Sequence, residues 1–154
     1  MNLKSILEEF YLYQDEAFQN QKYRNQSAAR SLADGGRNLK FKVIMFVPNA
    51  ENAVVDARKL VDYCLNPNHE IGKHKALVFE KLLDLTVDDA KELKNSLLFA
   101  VRNNEARAGR FDKFGQRYTV DFEMLRGSKR ATVRSGWIIE TNTSFPRLTT
   151  CFVL

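Results

Sequence analysis

Apolar side chains recur at helical spacing from the first residues of the chain. They are Leu3, Ile6, Leu7, Phe10, Tyr13 and Phe18. Their early spacing of three and four positions is typical of an amphipathic helix within residues 3–23. Residues 24–38 are polar and include the breaker Asp34-Gly35-Gly36. We therefore expect an N-terminal amphipathic helical arm over residues 1–40, followed by a main domain over residues 41–154.

Four elements are predicted in the first half of that domain. They are a β-rich strand over residues 41–47, a helix capped by Asp56, a helix over about 73–83 and a helix over about 87–102. The last helix begins at Thr86 and Asp89, which fit a capping box with Asp in the usual place of Glu. Its apolar positions keep helical spacing, which indicates core packing.

After residue 110 the apolar pattern changes to a period of two. This alternation predicts three strands, over residues 117–125, 131–140 and 147–154. Residues 126–129 contain Gly127 and form a hairpin turn. Helices followed by an antiparallel meander give an α+β fold, with N-terminal helices packed on a C-terminal antiparallel β-meander.

The net charge of the chain is unevenly distributed. The 154 residues contain 24 Lys and Arg against 19 Asp and Glu, which gives +5 at pH 7. Residues 102–154 hold ten basic and five acidic side chains, whereas residues 1–101 hold fourteen of each. The excess therefore lies in the predicted sheet. A local basic surface suits a polyanion such as RNA, although solubility is the more common reason for so small an excess.

Compartment and cofactor signals are sparse. The N-terminus lacks the apolar stretch of a secretory signal, and no run of about 18 apolar residues would span a membrane. Cys64 and Cys151 cannot build a disulfide framework. We therefore expect a cytoplasmic protein without membrane contact, and the chain has no Gly-rich nucleotide loop that would predict a cofactor.

The clearest candidate for chemistry is Lys73-His74-Lys75, which follows Gly72 at the start of a predicted helix. Unpaired amide N–H groups and the helix dipole favour an anion there, and the three side chains deepen the positive potential. A solvated helix start explains the same residues and is the commoner case.

Three strands offer further candidates. Arg134 shares a predicted strand face with Gly136, which would leave space for a ligand; an ion pair with Asp121 is the competing explanation. The hydroxyls of Thr149 and Thr150 could bind a phosphate, or these residues are ordinary strand formers. Arg117 and Tyr118 form another basic and aromatic cluster.

Together these residues suit RNA cleavage without a metal. That reaction needs a base for the 2′-hydroxyl, an acid for the leaving oxygen and cations for the phosphorane. The series Cys64, His69 and His74 has poor spacing for zinc and lacks a fourth ligand, so no metal site is expected. A thiol pair of Cys151 with His74 is less favoured, because a Cys in an apolar strand is usually buried.

Residues 49–154 resemble a bacterial domain family of unknown function. The matching stretches, in order, are NAENAVVDARKLVDYCLNPNH, GKHKALVF, FGQRYTVDF, ATVRSGWII and FPRLTTCFVL. Members are similar to toxin modules of polymorphic toxins and to phage head-associated proteins. The order of helices and meander resembles the barnase–EndoU–colicin–RelE ribonuclease superfold.

The resemblance implies a site between helices and sheet. It assigns His74 and Lys75 to the helix side, and Arg134, Ser135 and Thr149 or Thr150 to the sheet side. The resulting hypothesis is a metal-independent endoribonuclease toxin. Its expected catalytic residues are His74, Lys75, Arg134 and Thr149. Its expected substrate-binding residues are Lys73, Arg117, Tyr118, Ser135, Trp137 and Thr150. Ser135 accompanies Arg134, and Trp137 or Tyr118 would stack a base. RNA is the expected partner, together with an immunity or antitoxin protein.

The alternative is a non-catalytic module that binds nucleic acid or protein within a toxin or phage system. In that case the N-terminal helix would contact a partner or another copy.

Overall fold

The computed structural model describes residues 44–154, which form an α+β unit. Its helices come first, and a four-stranded antiparallel sheet in the order β1-β2-β3-β4 follows. The predicted helices-then-meander order is therefore confirmed. The predicted N-terminal arm, residues 1–40, lies outside the described residues.

Within residues 44–154, three α-helices precede the sheet. Helix α1 is a single turn, Ala57–Lys59, that continues as a π-helical segment, Leu60–Cys64; α2 is Lys73–Leu83, and α3 is Ala90–Asn103. The Asp56 side chain accepts from the Arg58 backbone N–H, as expected for the cap of α1. Thr86 and Asp89 form the predicted capping box at a 3₁₀ turn, Val87–Asp89, which leads into α3.

The sheet has one strand more than predicted. Its strands are β1, Ala106–Asp112; β2, Gly115–Arg126; β3, Lys129–Glu140; and β4, Pro146–Val153. Only the first residue of β1 is buried, so this edge strand has no alternating apolar pattern to reveal it. A shift of register between Ala108 and Phe111 disturbs the pattern further. The predicted turn after β2 is present, with Gly127 at φ 58°.

The predicted strand over residues 41–47 is wrong for its described part. Residues 44–47 form no strand, although the Met45 carbonyl accepts from Ala106 N–H at 2.7 Å. Val47 is buried in the core. Ile44 and Met45 are exposed, so the β-rich composition of residues 44–47 reflects neither a strand nor general burial.

The core lies between the helices and one side of the sheet. Alternate residues of the strands face it, and they include Val120, Phe122, Val133, Trp137 and Leu148. The other side of β2, β3 and β4 carries a different set of side chains, which we call the arginine face: Arg117, Thr119, Asp121, Arg134, Gly136, Arg147, Thr150 and Phe152. The helices and the arginine face meet at the edge strand β4, where the candidate site lies.

Candidate anion-binding site

The side chain of Lys75 extends from the first turn of α2 to strand β4. Its ammonium donates to Thr150 Oγ1 at 2.8 Å and to the Tyr63 hydroxyl at 3.2 Å. It also lies 4.6 Å from the centroid of the Tyr63 ring, which is a favourable cation–π distance. Lys75, Tyr63 and Thr150 are all half-buried. Lysine and hydroxyl groups from three separate segments therefore converge on one point.

A second lysine lies on the same edge of the sheet. Lys59 Nζ donates to the carbonyl of Thr149 at 3.1 Å and to that of Leu148 at 3.3 Å. Edge-strand carbonyls have no neighbouring strand to pair with, so an ammonium is a suitable donor for them. Lys59 and Tyr63 are four residues apart across the α1 and π-helical turn.

Neither Lys59 nor Lys75 forms an ion pair with a carboxylate within residues 44–154. Seven of the ten basic side chains of residues 102–154 do form such pairs: Arg107, Arg110, Arg117, Arg126, Lys129, Arg130 and Arg134. The basic excess of the sheet is therefore partly compensated. The two lysines at the β4 edge have only carbonyl and hydroxyl acceptors, which leave their charge available to an anion.

Strand register places several predicted residues on one face. Gly136 pairs with Thr119 on one side and Thr150 on the other. Each set of directly paired residues forms one row across the sheet. Arg134 lies two residues before Gly136 on β3, in the row with Asp121 and Phe152. Arg117 lies in the row on the other side of Gly136. Arg117, Arg134 and Thr150 thus share the arginine face, in three consecutive rows.

Gly136 does not leave the open space that the sequence suggested. A Cβ on this residue would lie 2.9 Å from Thr149 Oγ1 and 3.2 Å from Thr150 Cγ2. Thr149 is the extra residue of a β-bulge, because Trp137 pairs with Leu148 while Gly136 pairs with Thr150. The absence of a side chain at position 136 therefore accommodates the two threonines rather than a ligand.

Arg134 forms an ion pair with Asp121, which was the alternative to a ligand site in the sequence analysis. Its Nε and one terminal nitrogen each lie 2.7 Å from an oxygen of Asp121. Arg107 donates to the same carboxylate at 2.7 Å. Hydrogen bonds from Arg134 and the nearby charge of Arg107 lower the pKa of Asp121, against the opposing effect of burial, and the carboxylate in turn raises the pKa of Arg134.

Ser135 and Trp137 lie in the core and not on a binding surface. Both are 0% exposed. Trp137 Nε1 donates to Ser135 Oγ at 2.9 Å, and Ser135 Oγ donates to the Val120 carbonyl at 3.0 Å. This chain satisfies both polar groups internally, so neither side chain offers an atom to a substrate. Tyr118 pairs with Trp137 and packs partly against the same core.

Lys73 and His74 are exposed on the first turn of α2. The second histidine, His69, received no role from the sequence, yet it supports the site. Its Nδ1 accepts from the backbone N–H groups of Ile71 and Gly72 at 3.1 and 2.9 Å, and its ring lies edge-on to Tyr63, with centroids 4.9 Å apart. His69 therefore holds both the entry to α2 and the Tyr63 ring.

The contributions of Lys59 and Tyr63 were also missed. Their only sequence signal was a spacing of four residues in the helix that Asp56 caps, which places two side chains on one face. Nothing in that spacing indicates that the face points to β4.

Two buried thiols lie behind the site. Cys64 ends the π-helical segment and Cys151 lies between Thr150 and Phe152; both are free and fully buried. A hydrogen bond from the Cys151 thiol lowers the pKa of Cys64 to about 7; burial opposes this shift, and the charges of Lys75 and Lys59 assist it. The same pairing raises the pKa of Cys151.

Comparison with known families gives a match over residues 46–154, well over half of the chain, to the model described as Domain of unknown function (DUF6883). The chain belongs to this family. The expected membership of a family of unknown function is confirmed at that level. Neither the curated proteins nor the solved structures gave a match. Within residues 44–154, no helix is long and apolar enough to cross a membrane.

Proposed function

We propose that this protein is a metal-independent endoribonuclease of the toxin class, acting at the β4 edge. The observation that carries the proposal is the half-buried Lys75 ammonium, bound by two hydroxyls and by no carboxylate of the described residues. Partial burial of a cation without a counter-charge is unfavourable, and an anionic ligand would compensate it. A phosphodiester has the required charge and acceptor oxygens.

We assign the roles from the chemistry of the groups and from the contacts of Lys75. Lys75 stabilises the negative phosphorane, and the hydroxyls of Thr150 and Tyr63 orient the phosphate. Thr149, beside Gly136, adds a further hydroxyl. His74, exposed on the same helical turn as Lys75, is the general base or acid.

Arg134 extends this site along the arginine face. Its guanidinium supplies a second positive charge near the phosphate, and Asp121 fixes its orientation. Arg117 and Lys73 add positive potential around the RNA, and Tyr118 supplies an aromatic ring. Trp137 and Ser135 have no contact role in this proposal because they are buried.

Two resemblances support the reaction class. The motif set is similar to that of modules in polymorphic toxins and phage head-associated proteins, and the helices-then-meander order resembles the barnase–EndoU–colicin–RelE superfold. Cytoplasmic action on RNA, with a cognate immunity or antitoxin protein, follows from that class.

The test is induced expression of four forms of the full chain, with total RNA separated on a gel and growth recorded. Wild type should degrade RNA and arrest growth, whereas His74→Ala and Lys75→Met should do neither. Lys81→Met, a change of an exposed lysine farther along the same helix, is the matched control and should behave as wild type. Equal RNA integrity in all four forms would exclude the ribonuclease.

A binding module is the second candidate, favoured by one observation. Beside His74 and Lys75, α2 exposes apolar side chains, among them Leu77 at 53% and Val78 at 39%. Exposed apolar groups next to cations are typical of a contact surface for a macromolecule. A binder would retain RNA or protein without cleaving it, and RNA binding would weaken with salt in proportion to the phosphates contacted.

A further inference from the structure

Arg107, Asp121 and Arg134 form a three-charge cluster with a net charge of +1. Both oxygens of Asp121 are occupied: Arg134 contacts each of them, and Arg107 contacts Oδ2. A guanidinium has five N–H donors, and these contacts use only some of them on each arginine. The side chain of Arg107 is 60% exposed and that of Arg134 is 33% exposed. The remaining donors are therefore accessible to an anion.

The cluster lies one row from the Lys75 site. Arg134 pairs with Phe152, and Thr150 is two residues before Phe152 on β4. Arg134 and Thr150 are thus diagonal neighbours on one face, about 7–8 Å apart, a separation that long side chains bridge. A strand of RNA with one phosphate at Lys75 would bring a neighbouring phosphate to the two arginines.

We propose that Arg107 and Arg134, joined by Asp121, form a second phosphate subsite next to the one at Lys75. The inference rests on the proposed function and adds a requirement for a second phosphate. Arginine suits this role because its planar fork binds two phosphate oxygens at once. Asp121 is a positioning residue: its carboxylate holds two guanidiniums side by side that would otherwise repel each other.

Cleavage of short substrates tests the subsite. The substrates are a dinucleoside monophosphate, with one phosphate, and the same compound carrying an added 5′- or 3′-phosphate. Wild type should prefer one of the phosphorylated forms. Arg107→Gln should lower kcat/KM for that form about tenfold, the effect of losing one charge-assisted hydrogen bond, and leave the one-phosphate substrate unchanged. Equal effects on all three substrates would overturn the subsite.

Arg110→Gln is the matched control. Arg110 is on the same strand and pairs with Asp112 at 2.8 Å, so it tests for a general loss of positive charge. An equal loss of preference in Arg110→Gln would also contradict the assignment.

A binding measurement separates failure of the subsite from failure of the proposed function. The probe is a single-stranded 2′-deoxy oligonucleotide, which lacks the 2′-hydroxyl and is not cleaved by this mechanism. Arg107→Gln should reduce the slope of log K against log salt by about 0.7, the value for one phosphate contact on a single strand. If wild type cleaves no RNA but this slope falls, the ribonuclease proposal fails and the subsite stands. An unchanged slope rejects the subsite, whether or not wild type cleaves RNA.

Discussion

The Lys75 ammonium lies 2.8 Å from Thr150 Oγ1, and this contact joins the first turn of α2 to the edge strand of the sheet. Tyr63 completes the arrangement from the π-helical segment. Along the chain, Thr150 lies 75 residues after Lys75, and Tyr63 lies 12 residues before it. Hydroxyl acceptors compensate an ammonium less well than a carboxylate does, so the site keeps a positive charge.

Lys75→Met should leave the free energy of unfolding unchanged or raise it, while strongly reducing the rate of cleavage. The reason is that Met retains the apolar stem and removes a half-buried charge without a counter-charge. Urea denaturation measures stability, and we expect kcat to fall by about 10²–10³, as for other electrostatic groups in active sites. A loss of more than about 2 kcal/mol in unfolding free energy would instead assign Lys75 a structural role.

Much of the fold could be predicted from the sequence, because its signals are local. The capping box at Thr86 and Asp89 needs two residues three positions apart, and the alternation in β2, β3 and β4 is set by a one-sided core. Strand β1 lacked that signal because its residues are almost all exposed. Residues 44–47 have a β-rich composition but form no strand, because composition does not specify a strand partner, and only Val47 among them is buried.

The site was harder to predict because it depends on contacts between distant segments. A basic helix start identified Lys75, and hydroxyls in β4 identified Thr150, but nothing local joined them. The bulge at Thr149 changes the order of side chains along β4, so alternation counted from the sequence places Thr149 and Cys151 together, whereas only Cys151 is buried. Trp137 and Ser135 were assigned to substrate although their alternation also fitted the core.

Gly136→Ala should destabilise the protein by about 1–3 kcal/mol, the usual effect of overpacking. The new Cβ would lie 2.9 Å from Thr149 Oγ1 in a sheet that cannot readily expand. Urea denaturation followed by Trp137 fluorescence measures the change. Thr149→Ala should reduce this cost in the double variant, because it removes the atom that the Cβ meets.

Gly109→Ala is the control for that change. Its Cβ would meet Arg117 Cβ at 3.4 Å, an ordinary contact, so its effect should be small. Similar losses for the two glycines, or no coupling with Thr149→Ala, would show that close packing at Gly136 is not the cause.

Asp121→Asn should remove part of the acid sensitivity of folding. Hydrogen bonds from Arg134 and the charge of Arg107 lower the pKa of Asp121 from its usual 3.8. A lowered carboxyl pKa means that the folded state binds fewer protons than the unfolded state, so this stabilisation is full above about pH 4. It is lost as the pH falls from there through the lower pKa of the folded state.

Thermal unfolding of wild type and Asp121→Asn between pH 7 and pH 2 measures this effect. At pH 7 we expect the variant to be less stable by about 1–3 kcal/mol, the contribution of hydrogen bonds to a charged group, and the difference should shrink towards pH 2. Glu123→Gln, which breaks the longer, exposed pair with Arg130 at 3.6 Å, should change little at any pH. A difference that stays constant with pH would rule out the titration of Asp121.

Cys64 should titrate near neutrality in the folded protein. A hydrogen bond from the Cys151 thiol, assisted by the charges of Lys75 and Lys59, lowers the pKa of Cys64 from 9.0 to about 7. The ultraviolet absorbance of the thiolate, recorded against pH, measures this step. Cys64→Ala should remove it, whereas Cys151→Ala should move it to higher pH because the donor is lost.

Lys75→Met should move the Cys64 step upward as well, by less than Cys151→Ala does, since the charge of Lys75 contributes less than the thiol hydrogen bond. The two shifts have one physical reason: the thiolate is favoured by each group that donates to it or attracts it through the low-dielectric core. If the step near pH 7 persists in Cys64→Ala, the thiol that titrates is another one. If Lys75→Met leaves the step in place, the ammonium held by Thr150 does not act on Cys64.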